Sequence, residues 1–196
     1  IGRTAGNSEW DQDQWEYYLT GPEDLRYGDL ARSLVEQLPE DKRHDPFMQA
    51  LAIKLWMDEH LTYSTNERHA GVEDPTADFL FGNRIGYCVH FSHAAVYMWR
   101  ALGIPARVSA GYHVQQDEVQ GSTILIQGNS AHAWPELYLE GVGWVILDIA
   151  ARQNLDPPSP PMDGELARKM GEWARDVPEE IEEGGESEAP VSRQDF

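Results

Sequence analysis

The stretch Arg84–Gly103, which reads RIGYCVHFSHAAVYMWRALG, constrains the fold more than any other part of the chain. It contains Cys88, the single cysteine of the sequence, at the start of a helical pattern. Apolar residues follow at helical spacing, namely Val89, Ala95, Val96, Met98, Trp99 and Leu102. Gly103 and Pro105 then predict where the helix ends. The stretch therefore predicts a helix that begins at Cys88 and buries one face.

Two interpretations of Cys88 follow from this position. A thiol at a helix N-terminus lies among unpaired backbone N–H groups, at the positive end of the helix dipole, and both favour the nucleophilic thiolate. A lone cysteine is otherwise most often a small buried hydrophobic residue. Whether Cys88 is a reactive nucleophile or a buried core residue therefore has to be judged from the residues around it.

Composition limits the classes of partner. With 196 residues and 41% hydrophobic content, the chain fits one packed domain with a tail. The net charge of −19 argues against nucleic acid or an anionic membrane surface as a partner. The sequence contains no apolar run of about 18 residues, so we expect no direct membrane contact by this segment.

The patterning divides the chain into three parts: an N-terminal arm over residues 1–21, a main globular domain over 22–155, and a Pro-rich, then acidic linker over 156–196. The linker includes a pattern for a short helix over 162–175. Within the domain, helical patterns come first and strand patterns follow, which predicts an α+β fold. We expect N-terminal helices and a central helix packed on an antiparallel sheet of about four strands, over 106–114, 122–127, 133–140 and 144–149.

Helix-capping residues mark two of the predicted N-terminal helices. Gly28 reads as a break, so the first of these helices is predicted to begin at Asp29. The second begins after Asp45, with Pro46 in the first position, where its missing N–H would be unpaired in any case.

A catalytic thiol needs a base, and His132 is the histidine that stands out. Strand alternation places His132, Trp134 and Glu136 on one face of the third predicted strand. The next strand ends at Asp148, a carboxylate that is costly to bury without a partner such as an imidazolium. Three other histidines lie in surroundings typical of solvated surface: His44, His60 and His69.

The hairpin geometry sets a condition on this pair. A turn centred on Val142 places Asp148 opposite Glu136, about 13 Å along the strands from His132. The two side chains then share a face but meet only through a bulge, a strong twist or a shifted register. Pro135 cannot donate to a ladder and is the candidate for such a break.

His90 and His93 lie close to Cys88 in sequence, and cysteine with histidine is a zinc-binding combination. Cys88 and His90 are two apart on the helix and point away from each other. A closed structural zinc site also normally has four ligands. We therefore expect structural histidines, with no metal and no cofactor.

Two blocks together, GYCVHFSHAAVYMWRALGIPARVSAGY and SAHAWPELYLEGVGWVILD, resemble the transglutaminase-like superfamily with papain-like Cys-His-Asp catalysis. The resemblance implies that Cys88 is the nucleophile, His132 the general base and acid, and Asp148 the residue that orients the histidine. We expect Trp134 and Trp144 to flank the cleft.

The sequence departs from the family pattern after the aspartate, where Ile149 replaces the usual proline, and at Pro135 in the histidine strand. The sequence also does not identify the second hydrogen-bond donor to the oxyanion. The backbone N–H of Cys88 can serve as one donor. Tyr87 or Asn83 could offer another, but each fits local packing or turn chemistry equally well.

The resemblance implies thiol-dependent acyl transfer at amide bonds of a protein or peptide substrate through a thioester. Water as acceptor gives hydrolysis, and a primary amine gives a crosslink. The alternative is a catalytically inert binding or scaffold module of the same fold. The resemblance is to a bacterial branch carried by membrane proteins, which implies an extracytoplasmic (periplasmic) domain of a larger membrane protein, although the sequence also fits a cytoplasmic one.

Overall fold

The computed structural model describes residues 3–113, 119–120, 123–124, 126, 130–157, 165 and 168–169. Those in 3–113, 126 and 130–157 form one compact unit, and the others belong to a second. The acidic linker and most of the predicted helix over 162–175 lie outside the described residues.

The described helices are α1 (Gln12–Leu19), α2 (Leu25–Val35), α3 (Pro46–His60), α4 (Pro75–Asp78) and α5 (Cys88–Ala101). The described strands are β1 (Thr62–Tyr63), β2 (Ile85–Gly86), β3 (Ala106–Tyr112), β4 (Val119–Gln120), β5 (Thr123–Ile124), β6 (Ala131–Leu139), β7 (Gly143–Ile146) and β8 (Gln153–Asn154).

Helix capping explains where α2 and α3 begin. The predicted start of α3 is confirmed, because Asp45 Oδ1 accepts hydrogen bonds from the backbone N–H groups of Phe47 and Met48. The predicted start of α2 is wrong. Its N-cap is Asp24, whose Oδ1 accepts from the backbone N–H of Arg26 at 3.0 Å. An earlier cap thus starts the helix before Gly28, which lies buried inside it.

The sheet that carries the histidine strand is antiparallel, with the order β3-β6-β7, and α5 packs against β6. Its core side includes Leu137 and Leu139 of β6, both almost fully buried. The predicted α+β class is confirmed. The sheet holds three described strands, however, because Thr123–Ile124 pairs with Val119–Gln120 in a separate hairpin.

A second small sheet, β2-β1-β8, is parallel and was not predicted. Tyr63 on the central strand β1 is paired with Gly86 on one side and Asn154 on the other. Since β2 ends two residues before Cys88, this sheet fixes the chain as it enters α5.

The N-terminal segment packs on the β6-β7 hairpin within the same unit. The backbone N–H of Gly6 donates to the Tyr138 carbonyl at 2.9 Å. The Trp10 ring lies 4.6 Å from the Tyr138 ring, and the Tyr18 ring 4.8 Å from that of Trp144, between centroids. The segment therefore covers the face of the sheet opposite to the buried Leu137 and Leu139 side.

Candidate active site

His132 and Asp148 are in direct contact. His132 Nε2 lies 2.7 Å from Asp148 Oδ2, and the two side chains are 24% and 46% exposed. A carboxylate can only accept, so Nε2 carries the hydrogen of this bond. In a neutral ring the other nitrogen, Nδ1, is then the basic one. The pair thus presents a base on a partly exposed strand end.

The contact arises because the register differs from the predicted one. Glu136 pairs with Ile146, and Leu139 pairs with Gly143, so the turn is centred on Gly141 rather than Val142. Gly141 adopts a left-handed φ of 72°, which favours glycine. This register moves Asp148 two positions closer to His132 than predicted, within reach of a diagonal side-chain contact.

Pro135 limits how far β7 pairs with β6. The backbone N–H of Leu147 donates to the Pro135 carbonyl at 3.3 Å. Proline has no N–H with which to return that bond. The β7 strand accordingly ends at Ile146. The departure at Pro135 therefore coincides with the point where the chain leaves the ladder toward Asp148.

The segment after Asp148 is anchored on α3. The Ile149 side chain, at the position where the family has proline, is 7% exposed and belongs to the core. The backbone N–H of Ala150 donates to Asp58 Oδ1 at 2.8 Å, and that of Arg152 donates to the Asp58 carbonyl at 2.9 Å. These bonds hold the chain directly after Ile149.

Cys88 is the first residue of α5 and a free, partly exposed thiol. The last turn of α5 is tied to the start of β3, because the Arg100 guanidinium donates to the Ala106 carbonyl. With about 1.5 Å per helical residue and about 3.3 Å per strand residue, α5 and β3 are of similar length. His132 pairs with Gly111 near the far end of β3. We therefore expect His132 and Cys88 to lie at the same end of the layer.

Among the contacts of the described residues, the direct bond within this trio is the one between His132 and Asp148. The approach of the Cys88 sulfur to His132 stays a prediction. Such catalytic hydrogen bonds are often long in free enzymes and tighten when substrate binds.

The prediction that His69 is a solvated surface residue is wrong. Its side chain is 2% exposed, with Nδ1 2.6 Å from Asp78 Oδ2 and Nε2 2.7 Å from the Ile85 carbonyl. Burial alone would lower the pKa of His69, but these two acceptors outweigh it and the pKa is raised. Acceptors on both nitrogens favour the imidazolium form of the ring. A histidine between charged and loop residues gave no sequence signal for this.

His90 lies against it, with ring centroids 5.0 Å apart, and its surroundings favour the neutral ring. Burial lowers the pKa of His90, and the charge of His69 lowers it further. The His90 Nδ1 accepts from the backbone N–H of Tyr87 at 3.4 Å, and the ring bonds to the Arg68 backbone. The two histidines thus bind the backbone of Ile85 and Tyr87, just before α5 begins.

The two oxyanion candidates have local partners. Asn83 Oδ1 accepts from the backbone N–H of Ile85 at 2.9 Å, which is turn chemistry. The Tyr87 ring packs edge-on against His90 at 4.5 Å between centroids. Their role as oxyanion donors stays a prediction.

Of the two predicted cleft tryptophans, Trp134 contacts His132, with rings 6.0 Å apart at 30°. Trp144 packs instead with Tyr18 and Tyr138, and Arg107 lies over its ring. The cleft role of both tryptophans stays a prediction.

The sequence profile of the transglutaminase-like superfamily matches residues 32–149, which include Cys88, His132 and Asp148. The chain belongs to the transglutaminase-like superfamily. Within the superfamily it is 33% identical, over 118 residues, to a protein-glutamine gamma-glutamyltransferase of Pseudomonas aeruginosa, covering 60% of this chain. It is 30% identical to YebA of Bacillus subtilis over 154 residues, covering 64% of this chain. The matches span 18% and 19% of those relatives.

Solved structures of the superfamily share this architecture. The periplasmic domain of TgpA from Pseudomonas aeruginosa matches with a TM-score of 0.59 at 29% identity, covering 72% of this chain and 48% of that one. A protein of Cytophaga hutchinsonii matches with a TM-score of 0.51 at 22% identity, which supports the fold. None of the described helices is long and apolar enough to cross a bilayer.

Proposed function

We propose that this domain is a thiol-dependent acyltransferase that acts on amide groups, with Cys88 as nucleophile, His132 as general base and acid, and Asp148 as the residue that orients His132. The observation that carries the proposal is the 2.7 Å bond from His132 Nε2 to Asp148, which leaves Nδ1 as the basic nitrogen. A superfamily profile that spans all three residues supports the same assignment.

The reaction follows from these roles. His132 Nδ1 takes the thiol proton, and the Cys88 sulfur attacks the amide carbonyl. The tetrahedral oxyanion is stabilised by the backbone N–H of Cys88, which has no acceptor within α5 because it lies in the first turn of the helix. His132 then protonates the leaving nitrogen, which departs as ammonia or an amine and leaves a thioester. Asp148 stays ionised and stabilises the imidazolium.

In the second half of the reaction, the thioester is cleaved and His132 again acts as base and then as acid. His132 removes a proton from the acceptor, which attacks the thioester, and the thiol is regenerated. A primary amine as acceptor gives an isopeptide crosslink, and water gives the carboxylic acid. The ratio of the two products depends on how readily each acceptor reaches the thioester.

For the acyl donor we propose a glutamine carboxamide on a protein. The name of the Pseudomonas aeruginosa relative, a protein-glutamine gamma-glutamyltransferase, supports this choice. We also propose an extracytoplasmic location within a larger membrane protein, supported by the likeness to the periplasmic domain of TgpA.

Release of ammonia from a glutamine peptide tests the proposal, together with incorporation of a labelled alkyl amine into casein. We expect Cys88→Ala and His132→Gln each to lose at least about 10³-fold in rate, since triad members act as a unit. His44→Gln, which changes an exposed histidine, is the matched control and should retain the wild-type rate.

Full activity in Cys88→Ala would refute the proposal. A folded wild type without turnover, in which iodoacetamide alkylates Cys88 no faster than a free thiol, would instead support the inert module.

A further inference from the structure

We propose that Glu136 is a positioning residue that holds the Trp134 indole against His132 and so fixes the imidazole for proton transfer. The proposal rests on the function proposed above for His132. Glu136 itself lies four strand positions from His132, with Trp134 midway between them on the same face, and it acts through Trp134.

The Glu136 carboxylate is buried and accepts hydrogen bonds from three side chains, those of Trp134, Arg107 and Ser109. Its side chain is 9% exposed, Oε1 accepts from Trp134 Nε1 at 2.9 Å, and Oε2 accepts from Arg107 Nε at 2.7 Å. Burial alone would raise the pKa of Glu136, but hydrogen bonds from Trp134, Arg107 and Ser109 lower it. These donors therefore favour the ionised carboxylate, which can only accept, and each of its oxygens has a donor.

Arg107 is itself fixed, because its guanidinium carbon lies 4.0 Å from the centroid of the Trp144 ring. A cation over an aromatic face is attracted by the ring quadrupole. The carboxylate is thus held from the far side by a group that does not depend on Trp134, and it can orient the indole N–H.

The oriented indole lies beside the imidazole. The Trp134 and His132 rings are 6.0 Å apart at 30°. Gly111, paired with His132, leaves the space that the indole fills, since a Cβ there would be 3.0 Å from Trp134 Cη2. An alanine at position 111 would therefore push against the indole.

A second restraint on His132 is needed for a geometric reason. The single bond from Nε2 to Asp148 fixes one ring nitrogen but leaves the ring free to turn about that bond. An indole plane on one side of the imidazole limits this rotation, and so sets the direction of Nδ1. Misplacement of a reacting group by about 1 Å can cost 10²-fold in rate.

Glu136→Gln is the informative substitution because of the donors around it. A carboxamide has one acceptor oxygen, while Trp134 and Arg107 both present N–H groups to this position. The charged Arg107 should retain the oxygen, which turns the amide NH2 toward the indole N–H and breaks that bond. The volume of the side chain hardly changes, so loss of packing is minimised.

The first test is a double-mutant cycle in kinetics with the glutamine peptide. We expect Glu136→Gln and Trp134→Phe each to lower kcat about 10-fold with KM within about 2-fold, because ground-state binding is unaffected. The double variant should be no slower than the slower single variant, since both act through one contact. Glu140→Gln, whose carboxylate bonds to Ser8 at the end of β6, is the matched control and should keep the wild-type kcat.

The second test does not need turnover. In protein labelled with ¹⁵N-histidine, the ring resonances of His132, assigned by their absence in His132→Gln, should shift in Glu136→Gln and remain in place in Glu140→Gln. If the resonances shift in a protein that shows no turnover, the positioning role is supported and only the proposed function is contradicted. Unchanged resonances, or additive losses in kcat, would overturn the inference about Glu136.

Discussion

The chemistry of single residues depends on how His132 is held. Its Nε2 faces Asp148 and its ring faces Trp134, so two different contacts restrict one imidazole. Neither contact requires a charge on His132 in the resting state. In the proposed mechanism we therefore expect Asp148 first to accept a hydrogen bond, and only then to stabilise a cation.

This distinction predicts different losses for two substitutions of Asp148. An amide oxygen still accepts the Nε2 hydrogen, as it does in Cys-His-Asn proteases. We expect Asp148→Asn to lower kcat less than Asp148→Ala, which should cost about 10²-fold or more, since the alanine variant leaves the ring unoriented. The measurement is kcat for ammonia release, and equal losses in the two variants would show that the charge, rather than the hydrogen bond, matters.

His69 and His90 predict opposite pH dependences of stability. The raised pKa of His69 means that its contribution is complete below about pH 6.5 and is lost as the pH rises through the raised value. The lowered pKa of His90 means that its contribution is complete above about pH 6.5 and is lost as the pH falls toward the lowered value.

Urea unfolding at pH 5.5 and pH 8 measures this difference. Relative to wild type, His69→Gln should cost more at pH 5.5, by about 2 kcal/mol for a hydrogen bond to a charged group. His90→Gln should cost more at pH 8. Parallel pH profiles for the two variants would contradict the assigned protonation states.

At the scale of elements, the entry to α5 depends on close backbone approach at Gly86. A Cβ at this position would lie 2.9 Å from Phe79 Cδ2 and 3.0 Å from His90 Nδ1. We expect Gly86→Ala to destabilise the fold by about 1–3 kcal/mol through overpacking. Gly21→Ala, where no atom lies within 4 Å of the added carbon, should change the free energy of unfolding by less than about 0.5 kcal/mol. Equal changes in the free energy of unfolding of the two variants, measured by chemical denaturation, would contradict close packing at Gly86.

The elements also show what local patterns can predict. The apolar spacing after Cys88 predicted α5 from its first residue, and Asp45 with Pro46 predicted α3, because caps and periodicity are local signals. The parallel sheet around Tyr63 gave no such signal, since its two-residue strands depend on pairing with distant segments. The burial of His69 was missed for the same reason.

In the candidate site, too, local motifs could be predicted from the sequence, whereas contacts that depend on strand pairing could not. The residues of the trio could be named from sequence motifs, while the contact between His132 and Asp148 required a register that only the turn at Gly141 determines. Glu136 was assigned to the correct face from alternation, but its bonds to Arg107 and Trp134 come from strand pairing.

At the scale of the whole molecule, the N-terminal segment is part of the packed unit. Trp10 joins the ring cluster over β6 and β7, whereas Tyr17 is 71% exposed. We expect Trp10→Ala to lower the free energy of unfolding by about 3 kcal/mol and Tyr17→Ala by well under 1 kcal/mol. Thermal unfolding of the two variants checks this, and equal shifts in Tm would contradict the packing of the segment on the sheet.

The most direct test of the central claim is the mass of the acyl-enzyme. The protein is mixed with a glutamine peptide, quenched in acid and digested, and the fragment that contains Cys88 is weighed. The account predicts a gain equal to the peptide less one ammonia on Cys88, lost again when a primary amine is added before the quench. Release of ammonia without an adduct on Cys88 would contradict it.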